Sequence, residues 1–191
     1  NIDPAKIEAA ITPKTKAIIP VHLFGSMADM DRIMKISRQT GIPVIEDCAH
    51  AHGGTWRGKG IGTIGQVGSF SFQESKTLPS GEGGICLTNN AKLADKLFRI
   101  KHIGYGQDQK QGMAANGPEA GLMCRNYRGV EFTAIILSDA LKRLAAQTKL
   151  RDANAIAFAE MIKDVPGIKV QSRGRKADIQ GYYNFVLLPD P

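Results

Sequence analysis

Gly68-Ser69-Phe70-Ser71-Phe72-Gln73-Glu74-Ser75-Lys76 is an apolar, aromatic run with the character of a strand, and it ends on a lysine. The glycine-rich turn Ser80-Gly81-Glu82-Gly83-Gly84 follows, and Ile85-Cys86-Leu87-Thr88 reads as the next strand. Upstream, Ile42-Pro43-Val44-Ile45 reads as a second buried strand that closes on Glu46-Asp47-Cys48-Ala49-His50. Helical patterns alternate with these runs. A short helix is expected over residues 4–11, followed by a strand over 17–24 and a turn at Gly25. Asp29 can cap a helix that carries Met30, Ile33, Met34 and Ile36 on one side and stops at Gly41. Asn89 or Asn90 caps another, with Leu93, Leu97, Phe98 and Ile100, ending at Gly104. Strand–helix alternation predicts an α/β sheet with ligand chemistry at strand carboxyl ends. Asp47 falls at such an end, and the Ser71–Lys76 segment leaves its strand for a loop.

From Gly104 to Gly129 the sequence is polar, glycine-rich and without period, a length usually reserved for function or disorder. A helical stretch is expected from about 131 to 163, broken near Arg151 and stopped by Pro166-Gly167. Ile168-Lys169-Val170 and the 182–188 run read as strands. The expected division is residues 1–150 in a large domain and 151–191 at the start of a small C-terminal α+β domain. The chain starts at Asn1 as if inside a domain and ends just after a strand, and it reads as a piece of a longer protein.

Net charge is +7, but the basic residues are scattered and no RNA-binding motif accompanies them, so a solvated surface is favoured over nucleic-acid binding. Apolar content of 42% is ordinary and too interrupted for a membrane span. There is no signal-peptide pattern. Cys48, Cys86 and Cys124 have no CxxC spacing and read as reduced thiols of a cytoplasmic protein.

An acid closing one strand and an amine closing another suit pyridoxal 5′-phosphate (PLP), where an amine forms the Schiff base and a carboxylate holds the pyridinium nitrogen. Alone, Asp47 reads as a salt bridge or cap, and Lys76 as a surface lysine. Together at two strand ends, they favour the cofactor reading. Asp47, His50 and His52 lack the spacing of a zinc site, so no metal is expected. His50 is better placed to hydrogen-bond a cofactor ring, and His22 reads as a core histidine. Ser69, Ser71 and Ser75 are candidate phosphate donors, although Ser69 and Ser71 share a strand face and packing would explain them. Tyr182, Tyr183 and Phe185 read most simply as strand core. Gly60-Ile61-Gly62-Thr63-Ile64-Gly65 matches the dinucleotide string GxGxxG, but a strand follows where a helix is needed. An NAD oxidoreductase is set aside on that ground.

Several of these stretches together resemble the DegT/StrS family of sugar aminotransferases. They are Pro20-Val21-His22-Leu23-Phe24-Gly25, Ala28-Asp29-Met30-Asp31, Ile45-Glu46-Asp47-Cys48-Ala49-His50-Ala51-His52-Gly53, the 69–76 run, Gly81-Glu82-Gly83-Gly84 and Asn126-Tyr127-Arg128. The resemblance implies PLP-dependent fold type I and a homodimer with shared active sites. It implies Lys76 as the Schiff-base lysine, Asp47 as the partner of the pyridine nitrogen, Ser71 on the cofactor phosphate, Asn126 on the phosphate of the neighbouring subunit and Arg128 on substrate. His50 stands where the family usually has glutamine near the ring hydroxyl. Lysine at 76 argues against the family's sugar dehydratases, which carry histidine there. The 72–76 wording looks like the branch that aminates cyclitols or aminobenzoate precursors. The implied activity is amino transfer from glutamate or glutamine to a nucleotide-linked keto-sugar or a keto-cyclitol. The alternative is a non-catalytic PLP-binding regulatory or structural relative.

Overall fold

The computed structural model describes residues 1–107, 109 and 121–189. Its central sheet has the order β1-β4-β5. β1 (Ile45–Asp47) runs parallel to β4 (Val67–Ser71), and β4 runs antiparallel to β5 (Gly84–Leu87), so the sheet is mixed. Asp47 pairs in register with Ser69, which puts the acid close to the end of β4.

The strand expected over 17–24 is reduced to two isolated parallel bridges, Ile18 with Val44 and Val21 with Asp47. Pro20, between the two bridges, has no N–H to give, and the ladder is interrupted there. The segment still borders β1: the Asp47 N–H donates to Pro20 O and the His22 N–H to Asp47 O, both at 3.0 Å. The chain then turns sharply through the 3₁₀ turn Leu23–Gly25, with Phe24 at φ 57° and Gly25 at φ 84°.

The helices follow the local signals closely. α1 spans Pro4–Ala10 behind an Asp3 cap. α2 (Met30–Thr40) is capped by Asp29, which accepts from the Arg32 N–H at 3.2 Å, and it ends on Gly41 at φ 73°. Its buried face of Met30, Ile33 and Ile36 packs in one cluster with Ile18, Val44 and Trp56, and this is the core. α3 (Ala91–Lys101) is capped by Asn90. α4 (Glu131–Ile162) is one unbroken helix, so the break expected at Arg151 does not occur. No glycine or proline falls within it to cause one. The division expected at residue 150 lies inside this helix.

Two elements were not foreseen in the glycine-rich connector. β2 (Thr55–Trp56) and β3 (Lys59–Gly60) form a hairpin whose two turn residues, Arg57 and Gly58, have φ 49° and 72°. Positive φ at both positions is the type I′ turn that suits the twist of paired strands. β2 also pairs with β7 (Ala177–Ile179), which brings the C-terminal part of the chain onto the core. β6 (Ile168–Val170) pairs with β8 (Leu187–Pro189). The strand expected from Tyr182 is therefore shorter and later. Residues 181–184 spend their backbone donors on the 22–25 turn instead: Gly181 N–H to Gly25 O at 3.2 Å and Asn184 N–H to Phe24 O at 3.3 Å. Among the described residues no helix is long and apolar enough to cross a membrane.

Candidate active site

β1 presents two adjacent acids to opposite faces, as strand geometry requires. Glu46 points inward and is fully buried. Asp47 is half-buried, and one of its carboxylate oxygens accepts from the Ala49 N–H at 3.1 Å.

Glu46 explains the glycine string. Its carboxylate accepts from the N–H groups of Gly62 (3.0 Å), Ile64 (2.8 Å) and Gly65 (2.6 Å). The loop is an anion cradle, and the anion it holds is the chain's own side chain. The fourth contact is His22 Nε2, at 3.3 Å from Glu46. His22 Nδ1 accepts the Ala28 N–H at 3.2 Å, so the proton of a neutral ring sits on Nε2 and is donated to Glu46. Burial pushes the Glu46 carboxyl up, but the hydrogen bonds from His22, Gly65 and Gly62 outweigh it and hold the group below the usual range. Cys48 lies close enough to His22 and Glu46 for the three to be considered as metal ligands. The His22 Nε2 and the Glu46 carboxylate engage each other, the Cys48 thiol donates to the main-chain O of Glu46 at 3.7 Å, and burial raises the thiol pKa. The network is a closed hydrogen-bond cluster and not an open coordination site.

On the Asp47 side, His50 is the centre of a stack. Its ring lies 4.2 Å from that of Tyr183 at 9° and 6.1 Å from that of Phe24 at 10°. The Phe24 N–H donates to His50 Nδ1 at 3.3 Å, which leaves Nε2–H as the donor of the neutral ring. Burial lowers the His50 pKa first, the Lys76 charge lowers it further, and the Asp47 charge opposes both. One imidazole thus feels the amine and the acid together. Lys76 is half-buried in the turn after β4, with its N–H on Gln73 O at 2.9 Å and its ammonium 5.0 Å from the centre of the Tyr183 ring.

Ser71 ends β4, and its hydroxyl accepts from the Gln73 N–H at 3.3 Å. Asn126 and Arg128 lie apart from this group. Asn126 bridges to His102 just beyond α3, and Arg128 approaches His102 Nδ1 at 3.3 Å. Arg128 lines a groove of about 770 Å³ together with Phe72, Ser80 and Glu82, at the base of the loop that carries Lys76. Of the polar stretch from Gly104 to Gly129, residues 108 and 110–120 lie outside the described residues.

Tyr183 is the site residue that the sequence did not reveal. It was read as strand core, and the structure puts it against His50 and Lys76 instead. The signal lies in a close approach: a Cβ on Gly25 would stand 2.3 Å from Tyr182 N. That contact joins residues far apart in the chain, and local reading cannot find it.

His52 supports the loop from below. It is 2% exposed, and its Nδ1 lies 3.3 Å from Thr77 Oγ1. Burial brings its pKa down from 6.5 to about 4, with the Lys76 charge adding to the effect and a Ser71 backbone contact opposing it. Below pH 6.5 the unfolded chain takes up a proton that the folded chain refuses until about pH 4. Stability from this group is therefore complete above pH 6.5 and falls across that window, by about 3 kcal/mol in all. Urea unfolding at pH 7 and at pH 4.5 measures the fall. His52→Gln flattens it, and an unchanged pH slope in that variant would remove His52 as its cause.

The profile of the DegT/DnrJ/EryC1/StrS aminotransferase family matches residues 1–190. The chain is 39% identical over 193 residues to the L-glutamine:2-deoxy-scyllo-inosose aminotransferase of Streptoalloteichus tenebrarius, covering 99% of this chain and 45% of that protein. The crystal structure of 3-amino-5-hydroxybenzoic acid synthase superposes with a TM-score of 0.86 at 34% identity, over 96% of this chain and 47% of that one. The Escherichia coli GDP-4-keto-6-deoxy-D-mannose-3-dehydratase with bound hydrated PLP gives 0.83 at 26%, over 100% and 51%. The chain thus spans about half the length of the relatives it matches. The fold is that of the fold-type I PLP-dependent transferases, as the family resemblance implied, with a mixed sheet and flanking helices.

Proposed function

The chain belongs to the DegT/DnrJ/EryC1/StrS aminotransferase family, and from that premise we propose that it serves PLP-dependent amino transfer from glutamine or glutamate to a keto-cyclitol or a nucleotide-linked keto-sugar. The observation that carries the reading is the Lys76 ammonium 5.0 Å from the Tyr183 ring that stacks on His50 at 4.2 Å, with Asp47 closing β1 in register with Ser69 of β4. The donor set fits the cofactor: an amine, a carboxylate with one oxygen unclaimed by the Ala49 turn, an N–H donor and a serine hydroxyl. When bound, PLP supplies a conjugated ring that accepts the electrons of a breaking C–H bond.

Lys76 would hold the cofactor covalently, and its freed amine would take and return the substrate proton at Nζ. Asp47 keeps the ring nitrogen protonated. His50 offers Nε2–H to the ring hydroxyl, the place that glutamine takes in the family. Ser71 binds the phosphate, and for that its hydroxyl hydrogen is available, because toward Gln73 the oxygen only accepts. Asn126 reaches the phosphate of a second subunit and Arg128 contacts substrate, in a homodimer with shared sites. The exposed apolar residues Phe132, Ile135 and Ile136 on α4, with the exposed Tyr127 before it, offer surface for such an assembly. In this reading residues 1–150 belong to the large cofactor domain and 151–191 begin the small one, with α4 running through the division. The cyclitol acceptor and glutamine donor are favoured by the name of the Streptoalloteichus relative.

The test is conversion of bound PLP to pyridoxamine phosphate by glutamine or glutamate, followed by absorbance, and then amination of a keto-cyclitol or a keto-nucleotide sugar. Binding without conversion would instead support a non-catalytic regulator. Asp47→Ala is expected to keep the lysine-linked cofactor and to lower conversion by about 10²-fold or more, the effect of losing a charge-assisted contact to the ring nitrogen. Full conversion in that variant would remove Asp47 from its role.

A further inference from the structure

We propose that Tyr183 is a positioning residue for Lys76, its ring serving as the seat of the free ammonium; the proposal rests on the amino-transfer reading above for its consequence but not for its geometry. The Lys76 ammonium lies 5.0 Å from the ring centre. Every other contact of Tyr183 fixes the ring in place. Ser75 donates its single hydroxyl hydrogen to Gln73 Oε1 at 2.6 Å, so the 3.0 Å contact between Tyr183 and Ser75 is a bond donated by the tyrosine. His50 stacks on the ring at 4.2 Å. The backbone on either side is tied to the 22–25 turn through Gly181 and Asn184, and Arg151 of α4 holds Gly181 O at 3.3 Å. Gly25 permits the approach, because any side chain there would overlap the Tyr182 backbone.

The ring is therefore held by a hydroxyl, a stack and two backbone clamps, and the lysine is the mobile partner. A cation over an aromatic face is stabilised, whereas a neutral amine is not. His50 does not compete, because its Nδ1 accepts the Phe24 N–H and the ring stays neutral. When Lys76 takes a proton from the donor α-carbon, an N–H bond forms, the C–H bond breaks and its electron pair passes into the conjugated system that PLP supplies. The lysine is then an ammonium until it returns the proton one carbon along. Tyr183 stabilises that charged, released state against the state in which the nitrogen is tied to the cofactor.

The expected result has an unusual sign. Tyr183→Leu removes the seat and shifts covalent capture of PLP by Lys76 in favour of capture, by about two- to five-fold, the range set by a half-exposed cation–π contact. Tyr183→Phe keeps the ring and remains close to wild type. A residue that merely supported the fold would weaken capture when lost. The direct readout needs no cofactor: with ¹³C-labelled lysine, the ε-methylene protons of Lys76 are shifted upfield by the tyrosine ring in the wild type and in Tyr183→Phe, and return to the free value in Tyr183→Leu. Absence of that shift in the wild-type protein overturns the seat, whether or not the variants fold, and so does weaker or unchanged capture in a folded Tyr183→Leu. If the shift is present but no variant, nor the wild type, captures PLP at Lys76, the amino-transfer reading fails and the seat stands.

Discussion

Lys76→Ala is expected to abolish covalent capture of PLP and to lower amino transfer by about 10⁴-fold or more, the usual consequence of deleting a group that both bonds to the reacting system and moves its proton. The structure gives Lys76 this weight through its surroundings. Its charge reaches both His50 and His52, it lies in a turn pinned between β4 and β5, and the ring of Tyr183 is beneath it. The turn itself is braced by Phe72, whose N–H donates to Gly83 O and whose O accepts from Ser80 N, both at 2.8 Å. Alanine leaves that brace intact, so the variant should fold and should still bind PLP loosely through Asp47 and Ser71. Borohydride reduction followed by peptide mass mapping settles the point. The wild type should carry the cofactor mass on Lys76, and Lys76→Ala on no residue. A stable adduct on another lysine, with activity kept, would end the assignment.

The parts of this fold that were legible in sequence are those fixed by local chemistry. Asp29 and Gly41 bound α2 because a side-chain acceptor and a left-handed residue are what a helix needs at its two ends, whatever surrounds it. The apolar runs of β1, β4 and β5 were visible for the same reason, being short and bounded by turn residues. What escaped notice depends on distant partners. Tyr183 reaches the site only because Gly181 packs on Ala51 and Gly25 packs on Tyr182. The β2–β3 hairpin carries too few residues to show a period, and only its Arg57-Gly58 pair marks the turn. Asp47 and Lys76 could be picked out as a pair because one closes β1 and the other follows β4, which ends at Ser71, by a short turn, whereas Asn126 and Arg128 entered through family resemblance alone, and the structure sets them beside His102. Two adjacent acids at a strand end cannot face the same way, so one of Glu46 and Asp47 had to be buried and partnered.

That buried partner carries the largest stability effect expected in the molecule. Glu46→Ala should destabilise the fold by about 3–5 kcal/mol, the range for removing one member of a buried charged network. The loss is more than that of one contact. Three backbone N–H groups of the 62–65 loop and the Nε2–H of His22 all converge on the carboxylate, and each would lose its acceptor. Glu46→Gln is the sharper experiment, because it keeps shape and removes charge. All four neighbours are donors, so the amide NH₂ must face N–H groups wherever it is placed. His22 could turn its Nε2 into an acceptor only by moving its proton to Nδ1, against the Ala28 N–H. Glutamine should therefore cost about 2–4 kcal/mol, read as a lower urea midpoint at an unchanged slope. A glutamine variant within about 0.5 kcal/mol of wild type would show that the loop does not require an anion. The position of the loss also matters. The His22 N–H holds Asp47 O, and the turn that follows His22 carries Phe24 to His50. Loosening Glu46 should thus reach the candidate site through the two segments that build it, and a glutamine variant that still folds should capture PLP less tightly than the wild type.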